Sequence, residues 1–253
     1  MSLNVLTQGG GTGGESASIF VRGLSPTDTV TATKGSKTVN GKWGSKTAYE
    51  IKPLIPVMTS DTTPSGVASA SNINGTSNEP YMAFRNKVST ATGDCTQSSY
   101  AATLPWWIGY EFPDEQELTH FEVYFVYPDS SYSKGSTGYI SVSDDGGVTW
   151  KQVASFSNLA QDTIHAITLE NTVKCKMFRI YLTAYNNTYS TGTCRIGMVQ
   201  AYGLVPCVVN GHIITIKDYG LWTVTATNGE ETTTQDVLVD AAVEFTIPLS
   251  LSA

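Results

Sequence analysis

The chain has 253 residues, of which 40% are hydrophobic and only 15% charged, and a formal net charge of −7. Its length suits one large or two small domains, either able to bury a core, and so few charges cannot supply the wet faces of long amphipathic helices. The 15 Lys and Arg are scattered, whereas a nucleic-acid groove needs concentrated positive charge and an anionic membrane surface favours a cationic partner.

Residues 1–14, MSLNVLTQGGGTGG, read as a flexible Gly-rich leader. The glycines lack the Gly-Lys-Ser/Thr ending of a phosphate loop. No basic region precedes an apolar core, so no signal peptide is visible. No apolar run of about 18 residues exists, so membrane insertion is not expected. Beyond the leader, Thr, Ser, Gly, Val and Tyr dominate, and segments such as TVTAT and FEVYFVY alternate with period two between Gly, Asp, Asn and Pro. The fold class is all-β.

An internal echo sets the organisation. Residues 29–38 read TVTATKGSKT and residues 223–232 read TVTATNGEET. Each predicts a strand, a Lys-Gly or Asn-Gly turn and a return strand, since Asn-Gly suits a two-residue hairpin. Each chain end alone has too few strands to be stable. The economical solution joins residues 15–53 and 207–253 into one discontinuous small β-sandwich of immunoglobulin-like size, with residues 54–206 inserted in a loop. Two separate small β units are the alternative. Pro53, Pro56 and Pro206 flank the crossings. The terminal segments resemble the small β-sandwich repeats of bacteriophage tail and baseplate proteins, and similar repeats of bacterial surface proteins.

The inserted region carries landmarks in a defined order: YMAFRN, PWWIGYEF, FEVYFVY, GYISVSDDGGVTWKQV, KMFRIYL and MVQAYG. That order resembles the discoidin or coagulation-factor type C family, a galactose-binding-like jelly-roll β-sandwich, over about 150 residues. Trp107, Ile108, Tyr110 and Phe112 match its first strand, Ser143 to Trp150 its Asp-Gly hairpin, Cys175 to Ile180 a later strand and Tyr202-Gly203 its close. The hairpin also resembles a sialidase aspartate box, S-x-D-x-G-x-T-W. Sialidases need several boxes and an arginine cluster for the substrate carboxylate. Here one box is present and Arg22, Arg85, Arg179 and Arg195 are dispersed, so it reads as a structural turn.

Catalytic chemistry is not expected. Asp144 and Asp145 are adjacent in a turn, Asp114, Glu115 and Glu117 lie in a solvated connection, and paired catalytic carboxylates would face each other across a cleft. His120, His165 and His212 have no ligand-type neighbours, and no Gly-x-Ser-x-Gly elbow occurs. The family resemblance implies a calcium site built from an Ala-Phe-Asp-Gly-type turn and a Glu in the last strand. This chain has Arg85 and Met198 at those positions, so no metal and no cofactor is expected. Among the cysteines, Cys175 reads as a small buried thiol, and Cys95 and Cys194, in Gly/Thr/Ser-rich loops, could meet in a disulfide.

Binding is the expected activity. Three long loops, residues 88–105, 127–138 and 184–194, lack periodicity, and the family topology puts the latter two at one end of the sandwich, opposite the Asp-Gly turn. They carry Tyr100, Tyr132, Tyr185 and Tyr189 beside Asn186 and Asn187. Aromatic faces stack on the C–H side of sugars, and amides match their hydroxyls. Trp106, next to Trp107 in the first strand, is expected to point away from the core as a further platform. The function these readings imply is a non-catalytic carbohydrate-binding or adhesion component of a phage or prophage tail or baseplate, in the virion or at an extracellular surface. Its partners would be a cell-surface glycan or other tail proteins, and it could form a homo-oligomer. A purely structural tail protein, or an auxiliary carbohydrate-binding module of a secreted bacterial glycosidase, is the alternative.

Overall fold

Period-two alternation is realised as strands throughout. The computed structural model describes residues 16–75, 78–89, 91–126, 136–185, 192–240 and 244–248. In chain order the strands are β1 (Ala17–Arg22), β2 (Thr29–Lys34), β3 (Lys37–Asn40), β4 (Lys42–Pro53), β5 (Val67–Ala70), β6 (Thr96–Gln97), β7 (Trp106–Tyr124) and β8 (Ser136–Ser143). They continue with β9 (Lys151–Leu159), β10 (Ile164–Leu182), β11 (Arg195–Ile196), β12 (Met198–Ile216), β13 (Gly220–Thr227), β14 (Thr232–Val239) and β15 (Glu244–Pro248). The helical content of the described residues is two short 3-10 turns, Pro80–Phe84 and Thr92–Asp94. No helix among them is long and apolar enough to cross a membrane. The chain divides into two compact units, Met1–Glu50 with Pro206–Ala253, and Ile51–Val205.

In the smaller unit the two echoed segments pair with each other. β2 and β13 run antiparallel with Thr33 opposite Thr223, Ala32 opposite Val224 and Thr31 opposite Thr225. They form the centre of a four-stranded sheet ordered β14-β13-β2-β3. The alternate Val and Ala side chains turn inward, and the Thr side chains stay on the outer face. Val30, Ala32, Trp222, Val224, Ala226 and Val239 thus share one core with Ala17, Ile19 and Val21 of β1 and with Ile214 and Ile216 of β12. β1 pairs antiparallel with β12 and parallel with β15. The turns differ from the sequence expectation. The first is Gly35-Ser36, with Gly35 at φ 59°. The second spans residues 228–231, where the Asn228 side chain accepts the N–H groups of Glu230 and Glu231 at 3.1 and 2.8 Å. An Asx turn replaces the two-residue hairpin there.

The larger unit is a β-sandwich made by folding long strands over themselves. β7 leads with Trp106, Ile108, Tyr110 and Phe112 inward, crosses a solvated corner at Asp114 and Glu115, and returns with Leu118, Phe121 and Val123 inward. β10 bends likewise, its ladder with β7 slipping between Thr168 and Val173 and between Cys175 and Met177. The two halves face each other. Phe121 pairs with Ile167 in the ladder, yet its ring lies 4.9 Å from that of Phe178, whose ladder partner is Tyr110. Phe178 also meets the rings of Phe84, Tyr110 and Phe112 at 6.3, 6.4 and 5.9 Å. One layer is β5, the first half of β7, the second half of β10, β8 and β9. The other is the first half of β10, the second half of β7 and the start of β12.

Candidate functional site at the loop end of the larger unit

The fold-over brings several loops to one end. Trp106 pairs with Leu182, which pairs with Gly138, while Tyr124 pairs with both Ile164 and Met198. Residues 98–105, 183–185 and 192–197 therefore emerge together. The corner of β7, the Asp-Gly turn and the chain crossing at Leu54, whose N–H donates to Ala201 O at 2.9 Å, lie at the other end.

Backbone bonds fasten these loops. Ser98 N–H donates to Cys194 O at 2.9 Å, Cys194 N–H to Ser98 Oγ at 2.8 Å, and Ala101 N–H to Gly192 O at 2.9 Å. Asn72 Oδ1 accepts from both the N–H and hydroxyl of Ser99, at 2.9 and 2.8 Å. Ala101 takes the left-handed region, φ 52°, which reverses the chain directly after Tyr100. The result is a hydrogen-bonded ledge with Tyr100 72% exposed at its tip. An aromatic ring held out on an ordered backbone loses little conformational freedom on binding.

The other expected site residues divide three ways. Tyr185 is half-buried against the core, and its hydroxyl donates to Ala102 O at 2.8 Å, bracing the ledge from beneath. Tyr132, Asn186, Asn187 and Tyr189 lie outside the described residues. Trp106 is a correction. It is fully buried, with its indole N–H donating to Asn72 O at 2.9 Å, and Trp107 is the tryptophan on the outer face. Strand parity is the reason, because residues 106, 108, 110 and 112 are all large and apolar, whereas 107, 109 and 111 are Trp, Gly and Glu.

The cysteines do not bridge. Cys95 packs with Tyr124, Val126 and Met198, and all four cysteines are thiols. Burial pushes the Cys95 thiol up to about 11 and those of Cys175 and Cys194 up to about 12, so none of the three is a nucleophile at neutral pH.

At the far end, Asp145 organises the turn. Its carboxylate accepts the Thr149 hydroxyl at 2.5 Å, the Thr149 and Val148 N–H groups at 2.9 and 3.0 Å, and the Ser143 hydroxyl at 2.8 Å. Gly146 and Gly147 supply φ values of 75° and 85°. The aspartate box is thus saturated by its own turn. A model of the F5/8 type C domain matches residues 66–196, just over half of the 253-residue chain. The chain belongs to that family.

This F5/8 type C domain resembles several solved structures. The family 32 carbohydrate-binding module of NanJ from Clostridium perfringens, in complex with galactose, is 12% identical with a TM-score of 0.45, covering 60% of this chain and 99% of that one. CpGH89CBM32-5 from the same organism, in complex with GalNAc-β-1,3-galactose, is 13% identical with a TM-score of 0.44, covering 54% and 94%. Chitosan-binding module 1 of a chitosanase/glucanase from Paenibacillus sp. IK-5 is 21% identical with a TM-score of 0.43, covering 55% and 95%. No curated protein matches the chain.

The residues at the calcium position implied by the resemblance do not fit that ion, which wants six to eight oxygen ligands. Arg85 instead bonds Asp94 Oδ1 at 2.9 Å and Met82 O at 3.3 Å, and Lys87 and Ser89 bond Asp94 Oδ2 at 2.7 and 2.8 Å. Met198 is buried in an apolar cluster. Calcium at millimolar concentration is therefore expected to leave the thermal midpoint unchanged in scanning calorimetry, and a rise with added calcium would overturn this assignment.

Acid should act through the turn. The bonds from the Thr149 hydroxyl and N–H and from the Ser143 hydroxyl hold the Asp145 carboxyl well below its usual value of 3.8. A depressed carboxyl contributes stability above its unfolded value that is lost as pH falls toward the folded one. Thermal midpoints measured below pH 3.8 should fall more steeply for the parent than for Asp145→Asn, and parallel curves would count against this role of the turn.

Proposed function

We propose that the F5/8 type C unit is a non-catalytic glycan-binding module whose loop end, centred on Tyr100, contacts the sugar. The supporting observation is the ledge itself, with Tyr100 facing solvent on backbone pinned to residues 72, 192 and 194. Its ring offers a stacking face, and the surrounding Ser and Thr hydroxyls offer donors and acceptors. Tyr132, Asn186, Asn187 and Tyr189 complete the contact set in this reading. In this reading the smaller unit, built from both chain ends, is an immunoglobulin-like scaffold whose sequence the module interrupts. The likeness of its hairpins to tail and baseplate repeats supports adhesion of a phage or prophage tail to a cell-surface glycan, at a virion or extracellular location.

A glycan array tests this. Specific binding is expected, weakened about tenfold or more by Tyr100→Ala at unchanged thermal midpoint, since exposed aromatic anchors dominate such contacts. Absence of binding at millimolar sugar would contradict the reading.

A further inference from the structure

A second cluster of aromatic and cationic side chains lies on the outer face of the β5-β7-β10-β8-β9 layer, where Trp107, Tyr139, Arg179 and Tyr181 are half-buried side by side. The Arg179 guanidinium carbon sits 3.7 Å from the ring centroid of Trp107 and 4.1 Å from that of Trp150. A cation clamped between two indoles is held by their π faces.

The surroundings build this clamp. Gly109 stands opposite Arg179 in the ladder, and a Cβ there would come within 2.9 Å of Arg179 Cγ and 2.6 Å of Phe178 O. Trp150 is fixed by its indole N–H donating to Gly147 O at 2.9 Å, inside the turn that Asp145 organises. Tyr139 and Tyr181 stack at 4.6 Å with rings 14° apart and wall one side.

The clamp occupies the faces of the guanidinium and leaves its N–H donors, which lie in its plane, unsatisfied by the indoles. Among the described residues Arg179 makes no ion pair, and its hydrogen bond is one long contact, Nη1 to Tyr181 Oη at 3.5 Å. Trp150 also borders a cleft of about 400 Å³, whose walls include Thr149, Lys151, Thr172, Lys174 and Asp144 but not Arg179 itself. In a chain of net charge −7, a preorganised cation without a carboxylate partner is complementary to an anion arriving from outside.

We propose that Arg179 is the anion-recognising centre of a separate site on this sheet face for a carboxylate-bearing sugar, such as a uronic acid unit of an oligosaccharide. The carboxylate meets the edge of the guanidinium fork, and the tyrosine and indole rims beside it suit the face of a sugar ring.

The test uses the full chain with oligogalacturonate and its methyl ester, followed by tryptophan fluorescence and calorimetry. The acid form should bind and perturb the fluorescence, because Trp107 and Trp150 both touch Arg179, and the ester should not bind. Arg179→Gln should weaken binding of the acid about tenfold or more, and Arg179→Lys, which keeps the charge without the fork, should restore only part of it. Tyr100→Ala should leave this binding unchanged, which separates the site from the loop end. Equal binding of acid and ester, absence of binding by the acid, or a folded Arg179→Gln protein that binds as the parent does would overturn the proposal. The acid and ester comparison needs no variant, so it decides even if Arg179→Gln fails to fold.

Discussion

Replacing Phe178 by alanine is expected to lower the unfolding free energy of the F5/8 type C unit by about 3–5 kcal/mol, the usual cost of emptying a buried aromatic site. Phe178 is 0% exposed, and its ring meets those of Phe84, Tyr110, Phe112 and Phe121, drawn from a 3-10 turn and both halves of β7. The surrounding strands are locked by their ladders, so the cavity closes only partly. Chemical denaturation followed by tryptophan fluorescence measures the loss. A change below about 1 kcal/mol would mean that the layers pack differently from the arrangement described.

Trp222→Ala is expected to cost the smaller unit about 3–5 kcal/mol as well, and to do so at a distance in sequence. Trp222 is 1% exposed, and its core partners include Ile19 and Val21 of β1 and Ala32 of β2. β2 in turn is zipped to β13, so a lesson from the C-terminal part of the chain should reach the N-terminal part. Amide hydrogen exchange should accelerate in β1 and β2 as well as in β13 and β14, whereas the amides of β7 and β10 keep their protection. Acceleration confined to residues after 216 would show the two chain ends to be separate bodies.

Much of this fold is legible in the sequence because it rests on short-range pattern. The T-V-T-A-T echo encodes two strands with a small apolar inward set, and two copies of one pattern make matching ladders, as Thr225 opposite Thr31 and Val224 opposite Ala32 illustrate. Asp145, Gly146 and Gly147 announce their turn through chemistry that is local to it. Strand parity encodes the burial of Trp106, since Ile108, Tyr110 and Phe112 fix which tryptophan faces the core. What the sequence hides is non-local. Arg85 meeting Asp94 follows from how the loop closes, and Arg179 lies between residues 107 and 150 only because two strands and a turn converge there. Tyr185 carries the same signal as Tyr100, and its packing against the core, with its hydroxyl bonded to Ala102 O, is what makes it a brace.

Glycan recognition at the loop end is the central claim, and amide chemical-shift mapping tests it most directly. An isotopically labelled protein titrated with a sugar selected on the array should show its largest shifts at residues 98–102, 183–185 and 192–194, around Tyr100. Shifts concentrated instead at the Asp-Gly turn and the β10 corner, or an unperturbed loop end at saturating sugar, would contradict it.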